Sequence, residues 1–284
     1  MSEDTIIVTS NNQITCTTNL ICEASGLDIP EGWVFDNGTV LMIEGLGETS
    51  KIKMIHPTQV SNPSRFISPE KFNEKFKDDL PIPMKNNKNV FIARHGLAGH
   101  NEPDADMTQA HDARLTSMGI EQAQNSGIAI YKNCKGRITK ALTSDLIRTI
   151  DTLEIMTRQF PEDNRPKKCE VCIQARENSR LIGGKHHWQR SNPLREYAID
   201  PFISIDKLRL LAPDKLDSQL ERMVIENTPK NDPIGDWDGC LKKLNDLEID
   251  WSLYKSTLQK GYAEKKTFGK IASEKTLFDI IFEQ

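Results

Sequence analysis

The sequence predicts an α/β fold, with a central, mostly parallel sheet flanked by helices and a small β-rich region ahead of it. Three observations carry this expectation. The apolar run Asn89-Val90-Phe91-Ile92-Ala93 stops abruptly at Arg94-His95-Gly96, as a strand buried on both faces stops at a loop. Behind it, helix-like and strand-like periods alternate from Thr116 to Ile173. Ahead of it lie short β-prone runs separated by polar turns.

In chain order, Ile6-Ile7-Val8, the polar Ser10-Asn11-Asn12 and Ile14-Thr15-Cys16 read as a hairpin over Thr5 to Thr17. A second hairpin is expected from Trp33-Val34-Phe35 through Asp36-Asn37-Gly38 to Thr39-Val40-Leu41-Met42-Ile43, because Asn-Gly supplies the positive φ angles of a tight turn. Asn37-Gly38-Thr39 also fits a glycosylation sequon, but no secretory signal accompanies it, and the turn is preferred. Pro57, Pro63, Pro69, Pro81 and Pro83 then forbid long regular elements. Residues 1–84 are therefore expected to form a β-rich accessory region. The polar stretch Lys85 to Asn89 is expected to act as a hinge into a second domain, 85–284.

At the carboxyl end of a strand in an open α/β sheet, Arg94 and His95 stand where such sheets bind ligands. An arginine fork holds phosphate oxygens in pairs and stays charged. A neutral histidine can attack through one ring nitrogen while the other donates to a backbone carbonyl, which fixes the tautomer. Gly96 lets the backbone approach an anion closely. The tripeptide alone equally fits a surface Arg-His pair after a core strand.

Thr116 or Ser117 can cap the next helix, whose residues Ile120, Ala123, Gly127, Ile128 and Tyr131 share one face. A strand is expected within Lys135 to Thr143, and Ser144 sits at an N-cap position. Arg148 then falls near the first turn of a helix, where backbone N–H groups and the dipole favour an anion. Leu146, Ile150 and Leu153 would bury the other side. Cys169 and Cys172 lie in a β-prone run and are expected to be structural thiols; six cysteines in this length make no disulfide framework.

Farther on, Gly183 to Trp188 could form a lid or substrate loop, and the adjacent His186 and His187 lack a third metal ligand. Short helices and loops are expected from Pro193 to Gly239, with helices around Cys240 to Tyr262 and from Ser273 to Phe282. Leu277, Phe278, Ile281 and Phe282 make an apolar stripe that something must cover. A net charge of −4 argues against a general nucleic-acid binder. No apolar stretch is long enough to span a bilayer, and the acidic start Met1-Ser2-Glu3-Asp4 lacks a signal-peptide core. A cytoplasmic location is the default expectation.

Arg94-His95-Gly96 with Asn101 resembles the signature of the histidine phosphatase (phosphoglycerate mutase-like) superfamily. Leu115-Thr116-Ser117-Met118-Gly119-Ile120-Glu121-Gln122-Ala123 and Ser144-Asp145-Leu146-Ile147-Arg148-Thr149-Ile150-Asp151-Thr152 are similar to two further segments of that family, in its order. The resemblance covers about Asn89 to Glu177. It implies a metal-free, cofactor-free hydrolysis of phosphomonoesters through a phosphohistidine. His95 would attack, Arg94, Asn101 and Arg148 would hold phosphoryl oxygens, and Glu177 would protonate the leaving group. Arg176 is a further candidate contact. The substrate would be a phosphorylated small molecule or a phosphoprotein.

The family also carries a second catalytic histidine on a late strand beside the strand that ends at His95. No such strand and motif follow Phe282, and His100, His111, His186 and His187 do not fit the place. A gap in the sheet and a loss of hydrolytic rate are therefore expected. The alternative reading is a weakly active or inactive module that binds phosphorylated ligands. Ala98 stands where many members have Ser or Thr, and the Tyr-Gly-x-Leu-x-Gly stretch of glycolytic mutases is missing around Glu177.

Overall fold

The computed structural model describes residues 3–56, 65–84, 88–99, 115–176, 247–264, 270–271 and 274–282. It is α/β, as the sequence predicts, with a seven-stranded mixed sheet. The strands are β1 (Glu3–Thr9), β2 (Val40–Gly45), β3 (Ser50–His56), β4 (Asn89–Arg94), β5 (Arg137–Thr143), β6 (Lys168–Val171) and β7 (Glu248–Asp250). Their order across the sheet is β3-β2-β4-β1-β5-β6-β7. From β4 to β7 every neighbouring pair is parallel, while β2 and β3 form an antiparallel hairpin on the edge of β4. The helices are α1 (Asn11–Ala24), α2 (Pro69–Lys75), α3 (Ser117–Asn133), α4 (Ile147–Thr157), α5 (Ser252–Ala263) and α6 (Leu277–Phe282).

The largest departure from expectation is at the start of the chain. Residues 5–17 are not a hairpin: β1 is a strand inside the sheet, and Asn11 onward is helix. Ile6, Ile7 and Val8 are all buried, because β1 has neighbours on both edges and helices on both faces. After Ser10, the buried positions Ile14, Thr17, Thr18, Ile21 and Cys22 recur at helical spacing, which outweighs the β-propensity of Ile14-Thr15-Cys16. The second hairpin is also re-paired. Gly38 has the expected positive φ of 74°, but residues 33–35 form no strand, and β2 pairs with β3 instead. β1, β2 and β3 thus belong to the same sheet as β4, so the expected boundary after residue 84 does not separate two sheets. The expected gap beside β4 is likewise corrected, since β1 and β2 occupy its two sides.

Alternation along the strands builds a core on each face. Ile7, Leu41, Ile92 and Leu142 face α1, α2 and α6, with Phe35, Phe72 and Phe76 filling the space under α2. Ile6, Val8, Met42, Phe91 and Ala93 face α3 and α4, where Ile130, Leu153 and Met156 meet them. The α6 stripe of Leu277, Ile281 and Phe282 is buried in the first of these clusters together with Ile14 and Ile21 of α1. At the amino-terminal end of the sheet, buried Asp4 accepts from the backbone N–H groups of Asn89 (3.0 Å) and Lys135 (3.1 Å), tying β1 to both its neighbours.

Cys169 and Cys172 are buried, and burial pushes both thiols up from the usual range, which suits inert structural groups. The helix expected from Cys240 is corrected in its described part: β7 occupies Glu248–Asp250 and α5 begins at Ser252. Among the described residues, no helix is long and apolar enough to cross a membrane. The expectations for 183–188 and 193–239 fall outside the described residues.

Candidate active site

The carboxyl ends of β4, β1, β5 and β6 deliver His95, Ser10, Ser144-Asp145 and Arg176 to one edge of the sheet. In open α/β sheets this is the edge that binds ligands. His95 follows β4 and is 2% exposed. Its Nδ1 lies 2.8 Å from the Gly96 carbonyl oxygen, so Nδ1 carries the proton and donates. The other nitrogen, Nε2, then presents a lone pair, and Arg148 Nε donates to it at 3.3 Å. The tautomer expected from the sequence is the one that this geometry requires.

The backbone around His95 is fixed from several directions. Its N–H donates to Thr9 O at 2.9 Å, continuing the β1–β4 ladder. Its carbonyl accepts from Gly38 N (3.2 Å) and from Asn37 Nδ2 (3.1 Å). Gly96 N donates to Thr152 Oγ1 at 3.0 Å, and Leu97 N donates to Gln122 Oε1 at 2.7 Å. The glycine at 96 is needed for packing: a Cβ there would meet Gly119 O at 2.3 Å. Gly119 is constrained in turn, since its Cβ would lie 2.0 Å from Leu97 O. The three sequence segments singled out above are thus one physical object, a loop clamped between the starts of α3 and α4.

Thr116 caps α3, accepting from Gly119 N at 3.1 Å. The buried side of α3 differs from the expected stripe. Gly119, Gln122, Ala123, Ser126, Gly127 and Ile130 face inward, while Ile120, Ile128 and Tyr131 are about 40% exposed. Close approach decides this, because Gly127 runs against α4 with Met156 O only 2.5 Å from where a Cβ would sit. Ser144 is not the N-cap of α4; Leu146 is, and Ser144 Oγ instead accepts from Leu146 N (3.2 Å) and meets Thr149 Oγ1 (2.8 Å). Arg148 lies in the first turn of α4 and is 4% exposed, where the helix start favours an anion as expected.

Arg94 ends β4, is buried, and its Nη1 donates to the Phe35 carbonyl at 2.5 Å. Arg176 is engaged in a buried ion pair, Nη1 to Asp145 Oδ2 at 2.7 Å, and Tyr254 OH from α5 donates to the same oxygen at 2.9 Å. Asn101 and Glu177 lie outside the described residues. The structure therefore brings His95 and Arg148 into contact and puts Arg94 directly before His95 at the end of β4. Sequence reasoning missed Ser10, Asn37, Asp145 and Tyr254. Asn37 belongs to the Asn-Gly pair that signals a turn, and Asp145 follows Ser144 in the segment that leads to Arg148. Among the described residues, no group of three or more His, Cys, Asp or Glu is placed to hold a metal ion.

A buried arginine thus lies beside a histidine whose Nε2 presents a lone pair, at the carboxyl ends of parallel strands and at a helix start, an arrangement suited to an anion. Residues 90–171 match the family model "Histidine phosphatase superfamily (branch 1)". The chain is also similar to phosphoglycerate mutase 2 of Saccharomyces cerevisiae (strain ATCC 204508 / S288c), 27% identical over 164 residues. That match covers 49% of this chain and 52% of the yeast protein, so it spans about half the length of that relative. No solved structure matches the chain.

Proposed function

We propose that the protein hydrolyses phosphomonoesters through a phosphohistidine at His95. The observation that carries this reading is the His95 ring itself, buried, with Nδ1 bonded to Gly96 O and Nε2 turned to Arg148. A ring so held needs no proton removed before it attacks. The incoming phosphoryl group draws the Arg148 guanidinium from Nε2 onto its oxygens, and Arg94 and Asn101 add further donors. Nε2 forms a bond to phosphorus as the P–O ester bond breaks, and Glu177 gives its proton to the leaving oxygen. Water then attacks phosphorus and gives its proton to the Glu177 carboxylate, the P–N bond breaks, and inorganic phosphate, neutral His95 and protonated Glu177 are restored. No metal or cofactor takes part. The substrate is a phosphorylated small molecule or a phosphoprotein, and the reaction runs in the cytoplasm.

The second reading is a phospho-ligand binding module with little turnover. It is favoured by the end of β1, which carries Thr9-Ser10-Asn11 in the sheet position where the resemblance leads one to expect a second histidine. One experiment separates the two. With a ³²P-labelled aryl phosphate, the hydrolase reading expects label retained on protein after alkaline quench, lost after acid quench, and absent in His95→Ala. Label that survives His95→Ala moves the nucleophile elsewhere. Saturable substrate binding with no label and no released phosphate selects the binding module.

A further inference from the structure

The strand between the two halves of the site is β1. His95 follows β4, Arg148 follows β5, and β1 lies between those strands. The 3.3 Å contact between His95 and Arg148 therefore reaches across the carboxyl end of β1, where Ser10 sits. Ser10 keeps an extended backbone (φ −101°, ψ 167°), so the pairing Thr9↔Arg94 continues for one more step and sets Ser10 beside His95.

Ser10 is the N-cap residue of the 14-residue helix α1, and serines there ordinarily accept from an N–H of the first turn. Here its hydroxyl makes no cap bond. Ser10 is 2% exposed, and Oγ has no hydrogen-bond partner among the described residues. A hydroxyl buried in that way carries a desolvation cost that nothing among the described residues repays. Its neighbours are all used by the framework. Thr9 Oγ1 donates to Ala175 O (2.5 Å), Asn11 Oδ1 accepts from Phe35 N (2.8 Å), and Gln13 Nε2 donates to Arg176 O (2.7 Å). Ser10 is thus held rigidly, at a helix start with no acidic residue in its first turn, beside the nucleophilic histidine.

We propose that Ser10 Oγ, with the first-turn N–H groups of α1, forms the floor of the phosphate site and donates to a phosphoryl oxygen held between His95 and Arg148. The assignment rests on the phosphate-site reading above and deepens it. A hydroxyl supplies binding and orientation but no positive charge, so Ser10 favours retention of the phosphoryl group more than its release.

The test is calorimetric titration of the full chain with inorganic phosphate and with orthovanadate, for the wild type, Ser10→Ala, Ser10→Thr and Arg148→Ala. A hydrogen bond to a charged group contributes enough that Ser10→Ala should weaken both ligands about ten-fold. Ser10→Thr, which keeps the hydroxyl, should stay within about two-fold of the wild type on the same reasoning. Should the alanine variant lose its cooperative melting transition, Ser10→Cys, a weak donor of similar volume, takes its place. Wild-type affinity in Ser10→Ala, with Arg148→Ala weakened, overturns the Ser10 assignment alone. No phosphate binding by the wild type, or none lost in Arg148→Ala, overturns the phosphate site as well.

Discussion

At the scale of single residues, the loop that carries His95 is held in place by side chains from neighbouring elements. Thr152 shows how. Its hydroxyl oxygen accepts from Gly96 N at 3.0 Å and donates to Arg148 O at 2.7 Å, so one side chain joins the loop after His95 to the helix that carries Arg148. Both Thr152 and Gly96 are buried. Thr152→Val keeps the shape and removes the acceptor, which leaves a buried N–H unpaired at a cost of about 1–3 kcal/mol. Denaturant unfolding should register that loss, and phosphohistidine formation should slow more than phosphate affinity falls, because the variant misplaces the attacking nitrogen rather than removing a ligand contact. Equal stability of variant and wild type would show that the Gly96 N–H is satisfied some other way. Asn37 plays a similar part from the opposite side, holding the His95 carbonyl through its side-chain amide.

At the scale of elements, the close approach of the His95 loop to α3 sets the register of everything around it. Gly119 illustrates the competition of magnitudes. Replacing a helical glycine by alanine ordinarily gains about 1 kcal/mol from propensity. Here the new Cβ would lie 2.0 Å from the Leu97 carbonyl oxygen, a backbone atom that cannot swing aside. Overpacking of that kind costs about 1–3 kcal/mol or more, so the sign should reverse and Gly119→Ala should destabilise, read as a lower denaturant midpoint. A midpoint at or above that of the wild type would mean that α3 can retreat freely. The same contact explains what was legible in the sequence. β4, β5, α4 and the cap at Thr116 follow from local signals: a β-branched run, a turn, a hydroxyl before a helix. The face of α3 did not, because glycines and a glutamine were buried at the clamp while Ile120 and Ile128 stayed exposed, which inverts the usual pattern. The helix over 11–24 was hidden by β-branched residues, although its buried positions recur at helical spacing. The meeting of His95 with Arg148 was legible only through the family resemblance, since it spans a strand contributed from elsewhere in the chain.

At the scale of the whole molecule, that strand is the part on which the rest depends. The sequence divides naturally into a β-rich stretch up to residue 84 and an α/β stretch after it, yet β1 pairs with β4 over Thr5 to Thr9 and with β5 over Glu3 to Val8. It separates the strand that ends before His95 from the strand that leads to Arg148. Ile6, Ile7 and Val8 are each at most 1% exposed and reach into both cores. Burying such side chains is worth about 1.5–3 kcal/mol apiece. Three of them together approach the whole net stability of a domain, about 5–15 kcal/mol. Removing β1 would also leave two facing edges, β4 and β5, with unpaired backbone groups and nothing to pair with. A chain beginning at residue 85 should therefore lack a cooperative melting transition and accumulate as aggregate, whereas an accessory region could be removed without that result. Supplying residues 1–84 as a separate polypeptide should restore folding in part, because β1 can re-enter as an added strand. Cooperative unfolding of the 85–284 chain alone, with phosphate still bound, would show that β1 decorates the domain and does not complete it.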